Sequence, residues 1–202
     1  MIKLVIFDLG KVLVLWKGHL IDRAIAEELG ISVRQFTKLT KGYLPRVQVG
    51  KSSLLEMYGQ IAKKLGKGHK PTKLIAKHLS AYIRTSTGLD HNVLTIINRM
   101  KNKARVICFS NQEPEITEYW RKRKDLFEIF DKAYNSPEIG LRKPTRKGFQ
   151  HVLIEEGYKP DEALFIDDVL ENVKAAKSMG MHVILYKNSK QLKNELVKLE
   201  LI

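Results

Sequence analysis

The sequence predicts an α/β fold: a parallel sheet with helices on both faces, interrupted after its first strand by a small helical unit. Three observations carry that prediction. Leu4-Val-Ile-Phe7 is a continuous apolar run that ends at Asp8, the pattern of a strand buried on both faces. From residue 90 onward, short apolar runs alternate with stretches of helical periodicity, as in parallel strands joined by crossover helices. Between residues 20 and 84 no strand pattern occurs, so this helical stretch stands between two strands of one sheet.

Taken in order, Val12-Leu-Val-Leu-Trp16 continues apolar after the first strand and predicts an extended flap. Ile21, Ala24, Ile25 and Leu29 have helical spacing, and Gly30 suits the helix end. Ser32 and Gln35 form a capping-box pattern for a second helix. Leu39 to Pro45 breaks it. A third helix starts at Ser52 or Ser53, with Leu54, Leu55, Tyr58, Ile61, Ala62 and Leu65 on one face. Gly66 to Pro71 is a loop, and Thr72 to Arg84 is periodic again.

Asp90 caps a helix through Val93, Ile96, Ile97 and Met100, followed by a strand from Arg105 to Phe109. Pro114 fits the first turn of the next helix, which carries Ile116, Tyr119 and Trp120. A short strand near Lys132–Asn135 precedes a loop and a helix from Arg146 to Glu156. A strand Ala163–Ile166, a helix Glu171–Met179, a strand Met181–Tyr186 and a last amphipathic helix complete the pattern.

The 202 residues suffice for one domain with an insertion, and 44% hydrophobic with 29% charged residues describes a globular chain. No apolar run approaches the roughly 20 residues of a membrane span, and the short first run is no signal peptide. A single cysteine, Cys108, excludes an internal disulfide and fits a reducing, cytoplasmic setting. Its place in Val106-Ile-Cys-Phe109 predicts core packing. The net charge of +14 is uneven: Lys38 through Arg84 holds eleven basic residues against Glu56 alone. Such a field attracts phosphorylated metabolites, nucleic acid or acidic lipid. The lysines are scattered and few aromatics interleave with them, which favours a solvated surface over a nucleic-acid track.

Four predicted strand or loop ends bring polar groups to one crevice, the place where open α/β sheets bind ligands. They are Asp8; Ser110 and Asn111; Lys143 in Ser136-Pro-Glu-Ile-Gly-Leu-Arg-Lys-Pro144; and Asp167-Asp168. Three carboxylates near one point call for a divalent cation, and hard oxygen ligands favour Mg²⁺. A carboxylate that accepts a phosphoryl group needs that metal and a lysine to offset charge. Taken singly, each motif has an ordinary explanation: acids capping a helix, an exposed loop lysine before proline, a Ser-Asn turn.

Together the motifs resemble the haloacid dehalogenase-like (HAD) superfamily, in order along nearly the whole chain. They are Phe7-Asp8-Leu-Gly-Lys-Val-Leu13, Cys-Phe-Ser110-Asn111, Gly140-Leu-Arg-Lys143-Pro144 and Phe-Ile-Asp167-Asp168-Val-Leu-Glu-Asn172 running on to Gly180. The resemblance implies a Rossmann-like three-layer core over residues 1–15 and 88–202, with a helical cap over 16–87. It implies Asp8 as nucleophile and metal ligand, the Gly10 carbonyl as a second ligand, and Asp167 and Asp168 as the remaining acidic ligands. Lys143 and Ser110, with Asn111 beside it, hold the phosphoryl group, and Asn172 fixes the acidic loop. The implied activity is Mg²⁺-dependent hydrolysis of a small phosphorylated metabolite through an aspartyl-phosphate.

One position departs from the family pattern. Phosphatases of the family usually carry a second aspartate at the place of Gly10, acting as general acid and base. His19 is the histidine closest to Gly10 in sequence. Two alternatives follow: a binding or regulatory protein that kept the fold and uses a basic cap, or a 2-haloacid dehalogenase. Dehalogenases use no metal and would not need the paired Asp167-Asp168.

Overall fold

The computed structural model describes residues 1–16, 19–66, 68–122 and 124–202. Five parallel strands form one sheet: β1 (Leu4–Phe7), β4 (Arg105–Ser110), β5 (Lys132–Asn135), β6 (Ala163–Asp167) and β7 (His182–Leu185), in spatial order β5-β4-β1-β6-β7. The first strand therefore lies in the centre, flanked by β4 and β6. All four of its residues are fully buried, which is why the sequence there is apolar without alternation.

Alternate residues of β1 feed two cores. Val5 and Phe7 face one core, with Val106, Cys108, Leu164 and Ile166, and are covered by α6 (His91–Met100) and α12 (Ser189–Lys198). Leu4 and Ile6 face the other, where Phe149, Val152 and Leu153 of α10 (Arg146–Glu156) and Ala176 of α11 (Leu170–Ser178) pack. Helix, sheet and helix make the three layers. Burial raises the Cys108 thiol pKa above its ordinary range, consistent with an inert core position.

After β1 the described residues form β2 (Val14–Trp16), then five helices, then β3 (Ser86–Leu89), which pairs antiparallel with β2 as a separate two-stranded ribbon. The helices are α1 (His19–Leu29), α2 (Val33–Thr40), α3 (Leu44–Val47), α4 (Leu54–Leu65) and α5 (Pro71–Thr85). The capping box at Ser32 and Gln35 is formed. Ser53 caps α4, its hydroxyl accepting from the Glu56 N–H.

Two local expectations need correction, and one strand lay outside the sequence reading. Ser86–Leu89 is a strand, held by its partner β2 rather than by its own residues. Leu44–Val47 is a short helix within the predicted break, with Pro45 tolerated in the first turn. Leu55 is 48% exposed, and Met57 takes its place on the buried face beside Leu54, Tyr58 and Ile61.

The helical segment is tied to the sheet domain by specific contacts. The Leu54 N–H at the start of α4 donates to Glu115 Oε1 at 3.2 Å. The indole of Trp120 donates to the Tyr82 hydroxyl at 2.6 Å. Gly50, at φ +70°, lies so close to Pro137 that a Cβ there would meet its carbonyl oxygen at 2.8 Å. Among the described residues no helix is long and apolar enough to cross a membrane.

Candidate active site

Parallel register builds the site. Phe7 pairs with Cys108 on one side and Ile166 on the other, so Asp8 comes abreast of Phe109 and Asp167 at the carboxyl edge, with Ser110 next after Phe109. The Asp8 N–H donates to the Ile166 carbonyl at 2.8 Å. Ser110 ends β4 and Asp167 ends β6 on either side of Asp8.

Lys143 arrives from a loop, and two contacts hold it there. The Asn111 side chain clasps its backbone: Nδ2 donates to the Lys143 carbonyl and the Lys143 N–H donates to Oδ1, each at 2.9 Å. Behind the loop, α10 packs so tightly that a Cβ on Gly148 would lie 2.8 Å from the Arg142 carbonyl oxygen. The lysine is only 1% exposed. Its Nζ donates to Asp8 Oδ1 at 2.6 Å and to Asp167 Oδ2 at 2.7 Å, and lies 5.3 Å from the Phe165 ring centroid. An ordinary exposed loop lysine is thereby excluded.

The electrostatics follow from this bridge. Burial pushes the Asp8 carboxyl up to about 6, against the pull of Lys143, while Asp167 pushes in the same direction as burial. For Lys143 burial favours the neutral amine, yet Asp8 and Asp167 outweigh it and hold the ammonium above its ordinary value. Asp168 is raised by burial and partly restrained by Lys11, whose Nζ stands 3.6 Å from its Oδ2.

Asp8, Asp167 and Asp168 each offer an oxygen within 4.8 Å of the others, a hard-oxygen set that fits Mg²⁺. Lone pairs test the fit. Asp167 Oδ2 accepts from Lys143 and from Asn172 Nδ2 at 3.0 Å, and Oδ1 accepts from the Val169 N–H at 2.7 Å. A carboxylate has about four acceptor positions, so one remains for a cation. Asn172 thus fixes the acidic loop, as its position implies.

A cavity of about 530 Å³ opens above these groups, within the range of small-molecule sites. Asp8, Gly10, Ser110, Asn111, Lys143 and Asp168 all line it, with Asp167 buried behind them. Gly10 leaves open space: a Cβ there would meet only Trp16 Cε3, at 3.7 Å. The His19 side chain lies outside the described residues.

Sequence reading missed the far wall, formed by α1, α2, α4 and α5 together with Gln112 and Glu113. Tyr58 and His78 are joined there by a 2.8 Å hydrogen bond between the hydroxyl and Nδ1. Burial pulls the His78 pKa down to about 4, with Glu115 and Asp22 opposing. Burial raises the carboxyls of Asp22 and Glu113, the latter restrained by a hydrogen bond from Gln48. Glu113 and Gln112 follow directly on Ser110-Asn111, a signal that was available; the inward aim of Tyr58 and His78 left none.

Comparison with known proteins agrees with this geometry. A family model for haloacid dehalogenase-like hydrolase matches residues 2–180. Drimenol cyclase drtB of Aspergillus calidoustus is 26% identical over 98% of this chain, which spans only 37% of that protein's length. Sesquiterpene phosphatase astK of Aspergillus oryzae is 26% identical, over 89% of this chain and 87% of that one. The D-ribitol-5-phosphate phosphatase of Bacteroides thetaiotaomicron is also 26% identical, over 97% of each. A HAD family enzyme of the same bacterium, solved with magnesium and inorganic phosphate, superimposes with a TM-score of 0.74. It covers 93% of this chain and 95% of its own at 22% identity. With the family model spanning most of its length and the motif residues gathered at one strand edge, the chain belongs to the haloacid dehalogenase-like hydrolases.

Proposed function

We propose that the protein is a Mg²⁺-dependent phosphohydrolase that acts on a small phosphorylated molecule through an aspartyl-phosphate on Asp8. The observation that carries this reading is the Lys143 ammonium bridging Asp8 and Asp167 at 2.6 and 2.7 Å beside Asp168. A dehalogenase needs one carboxylate nucleophile and no metal; the paired Asp167 and Asp168 beside Asp8 suit phosphoryl chemistry. Phosphatases among the relatives, and a structural neighbour solved with magnesium and phosphate, support the same reading.

In this scheme Asp8 Oδ2 attacks phosphorus as the bond to the alcohol oxygen breaks. The alkoxide takes a proton from solvent, since Gly10 supplies none. Water then attacks the phosphorus of the aspartyl-phosphate, releasing inorganic phosphate and restoring the Asp8 carboxylate. Lys143 and Ser110 hold the phosphoryl oxygens; Asn111 positions Lys143 through its backbone. A Mg²⁺ held by Asp8, the Gly10 carbonyl, Asp167 and Asp168 would supply charge neutralisation at the transferring group. Residues 16–87 act as the cap that closes over the substrate.

Phosphate release from a panel of phosphomonoesters tests the reading. Turnover is expected in Mg²⁺, to vanish in EDTA, and to fall by at least about 10³-fold in Asp8→Asn. Turnover that survives in Asp8→Asn contradicts it.

A further inference from the structure

The cavity above Asp8 has a chemistry of its own that narrows the substrate. Its cationic side chains, among the described residues, are Lys11 and Lys143, both at the Asp8 end. None of the described basic residues between Lys38 and Arg84 lines it, so the basic surface of the helical segment faces elsewhere. The wall around Tyr58 and His78 instead carries the carboxyls of Asp22 and Glu113. A second phosphate or a carboxylate on the substrate would meet repulsion there with no cation to offset it.

Much of the remaining wall is apolar: Trp16, Phe36, Leu44, Met57, Tyr82 and Ile116. Several polar atoms among them are engaged with one another. Tyr58 bonds His78, the Tyr82 hydroxyl accepts from Trp120, and Gln112 Oε1 accepts from Thr117. Thr40 donates to the Thr37 carbonyl, and Gln48 bonds Glu113. A site that reads sugar hydroxyls keeps donors and acceptors free for them, because discrimination rests on leaving such groups unpaired when the hydroxyl is missing. In this one the Tyr58, Tyr82 and Thr40 hydroxyls, His78 Nδ1 and Gln112 Oε1 already have partners within the protein.

From this arrangement we infer that the substrate is the phosphomonoester of an apolar alcohol, with its hydrocarbon body in the chamber and its phosphate at Lys143. The inference rests on the phosphohydrolase reading for its chemistry and on the chamber for its specificity. The comparisons do not choose for it, since one relative is a sesquiterpene phosphatase and another a ribitol-phosphate phosphatase.

The test is a chain-length series from butyl to octyl, run twice. Alkyl phosphates in Mg²⁺ report turnover, and the matching non-hydrolysable alkylphosphonates report binding by calorimetry. Both kcat/KM and affinity are expected to improve about fourfold per methylene until the chamber is full, with glucose 6-phosphate at least about tenfold poorer than hexyl phosphate. Values independent of chain length, or a preference for glucose 6-phosphate, overturn the apolar assignment while leaving the phosphatase reading in place. Chain-dependent phosphonate binding with no turnover of any phosphate ester upholds the chamber and overturns the phosphatase reading.

Discussion

Lys143→Met isolates the bridge at the centre of the site. The substitution keeps the volume and removes the charge. It leaves Asp8 and Asp167, whose reachable oxygens lie within 4.8 Å of each other, facing across a site where the lysine was 1% exposed. At an effective dielectric of about 20, two unit charges at such a separation repel by roughly 3 kcal/mol. Breaking one partner out of a buried ion pair costs about 3–5 kcal/mol in measured cases, so the two routes agree. For a chain of this length that is a melting-temperature drop of about 6–20 °C. The assay is thermal and urea unfolding at pH 8 in EDTA, wild type against variant. Mg²⁺ should return part of the loss, about 2.7 kcal/mol at a hundredfold excess over its Kd, since a cation again lies between the acids. Acidification should shrink the deficit too, because one carboxyl can take a proton and end the repulsion. A variant within about 0.5 kcal/mol of wild type in EDTA at pH 8 would refute the bridge as a structural element.

Gly10→Asp should raise kcat for esters of poor leaving alcohols by about 10²–10⁴-fold, because the added Cβ meets only Trp16 at 3.7 Å. Esters of p-nitrophenol, whose leaving group needs no proton, should gain far less; equal or absent gains on both would contradict a missing proton donor. His78 sets a pH dependence of stability. Its folded pKa of about 4 lies below the ordinary histidine value of 6.5, so the unfolded chain binds the extra proton between those values. Stability is therefore full above about pH 6.5 and falls toward pH 4, by about 3 kcal/mol from this residue. Urea unfolding of wild type and His78→Gln across that window measures it; parallel pH curves would contradict the assignment.

Strand β1 was legible because a strand buried on both faces has only one kind of residue to offer. Asp8, Ser110 and Asp167 were legible together because each ends an apolar run, and parallel register brings such ends abreast. Lys143 was legible as a family position but not as a buried group. A lysine before proline in a glycine-containing loop looks exposed, and its burial depends on a clasp from Asn111, 32 residues away. Strand β3 was hidden for a related reason: Ser-Thr-Gly-Leu has no alternation, and β2 supplies the pairing. In α4 the adjacent Leu54 and Leu55 were read onto one face, and packing against α5 buries Leu54 with Met57 and leaves Leu55 outside. The chamber lay furthest from the sequence, because its walls come from helices that meet only in space.

In the proposed reaction Asp8 takes up a phosphoryl group. Acid quenching during turnover in Mg²⁺, followed by mass spectrometry of the peptide spanning Asp8, tests it most directly. The expected product is a peptide heavier by one phosphoryl group, labile at alkaline pH and absent from Asp8→Asn. Steady phosphate release with Asp8 unmodified at every quench time, and the label on another residue, would contradict it.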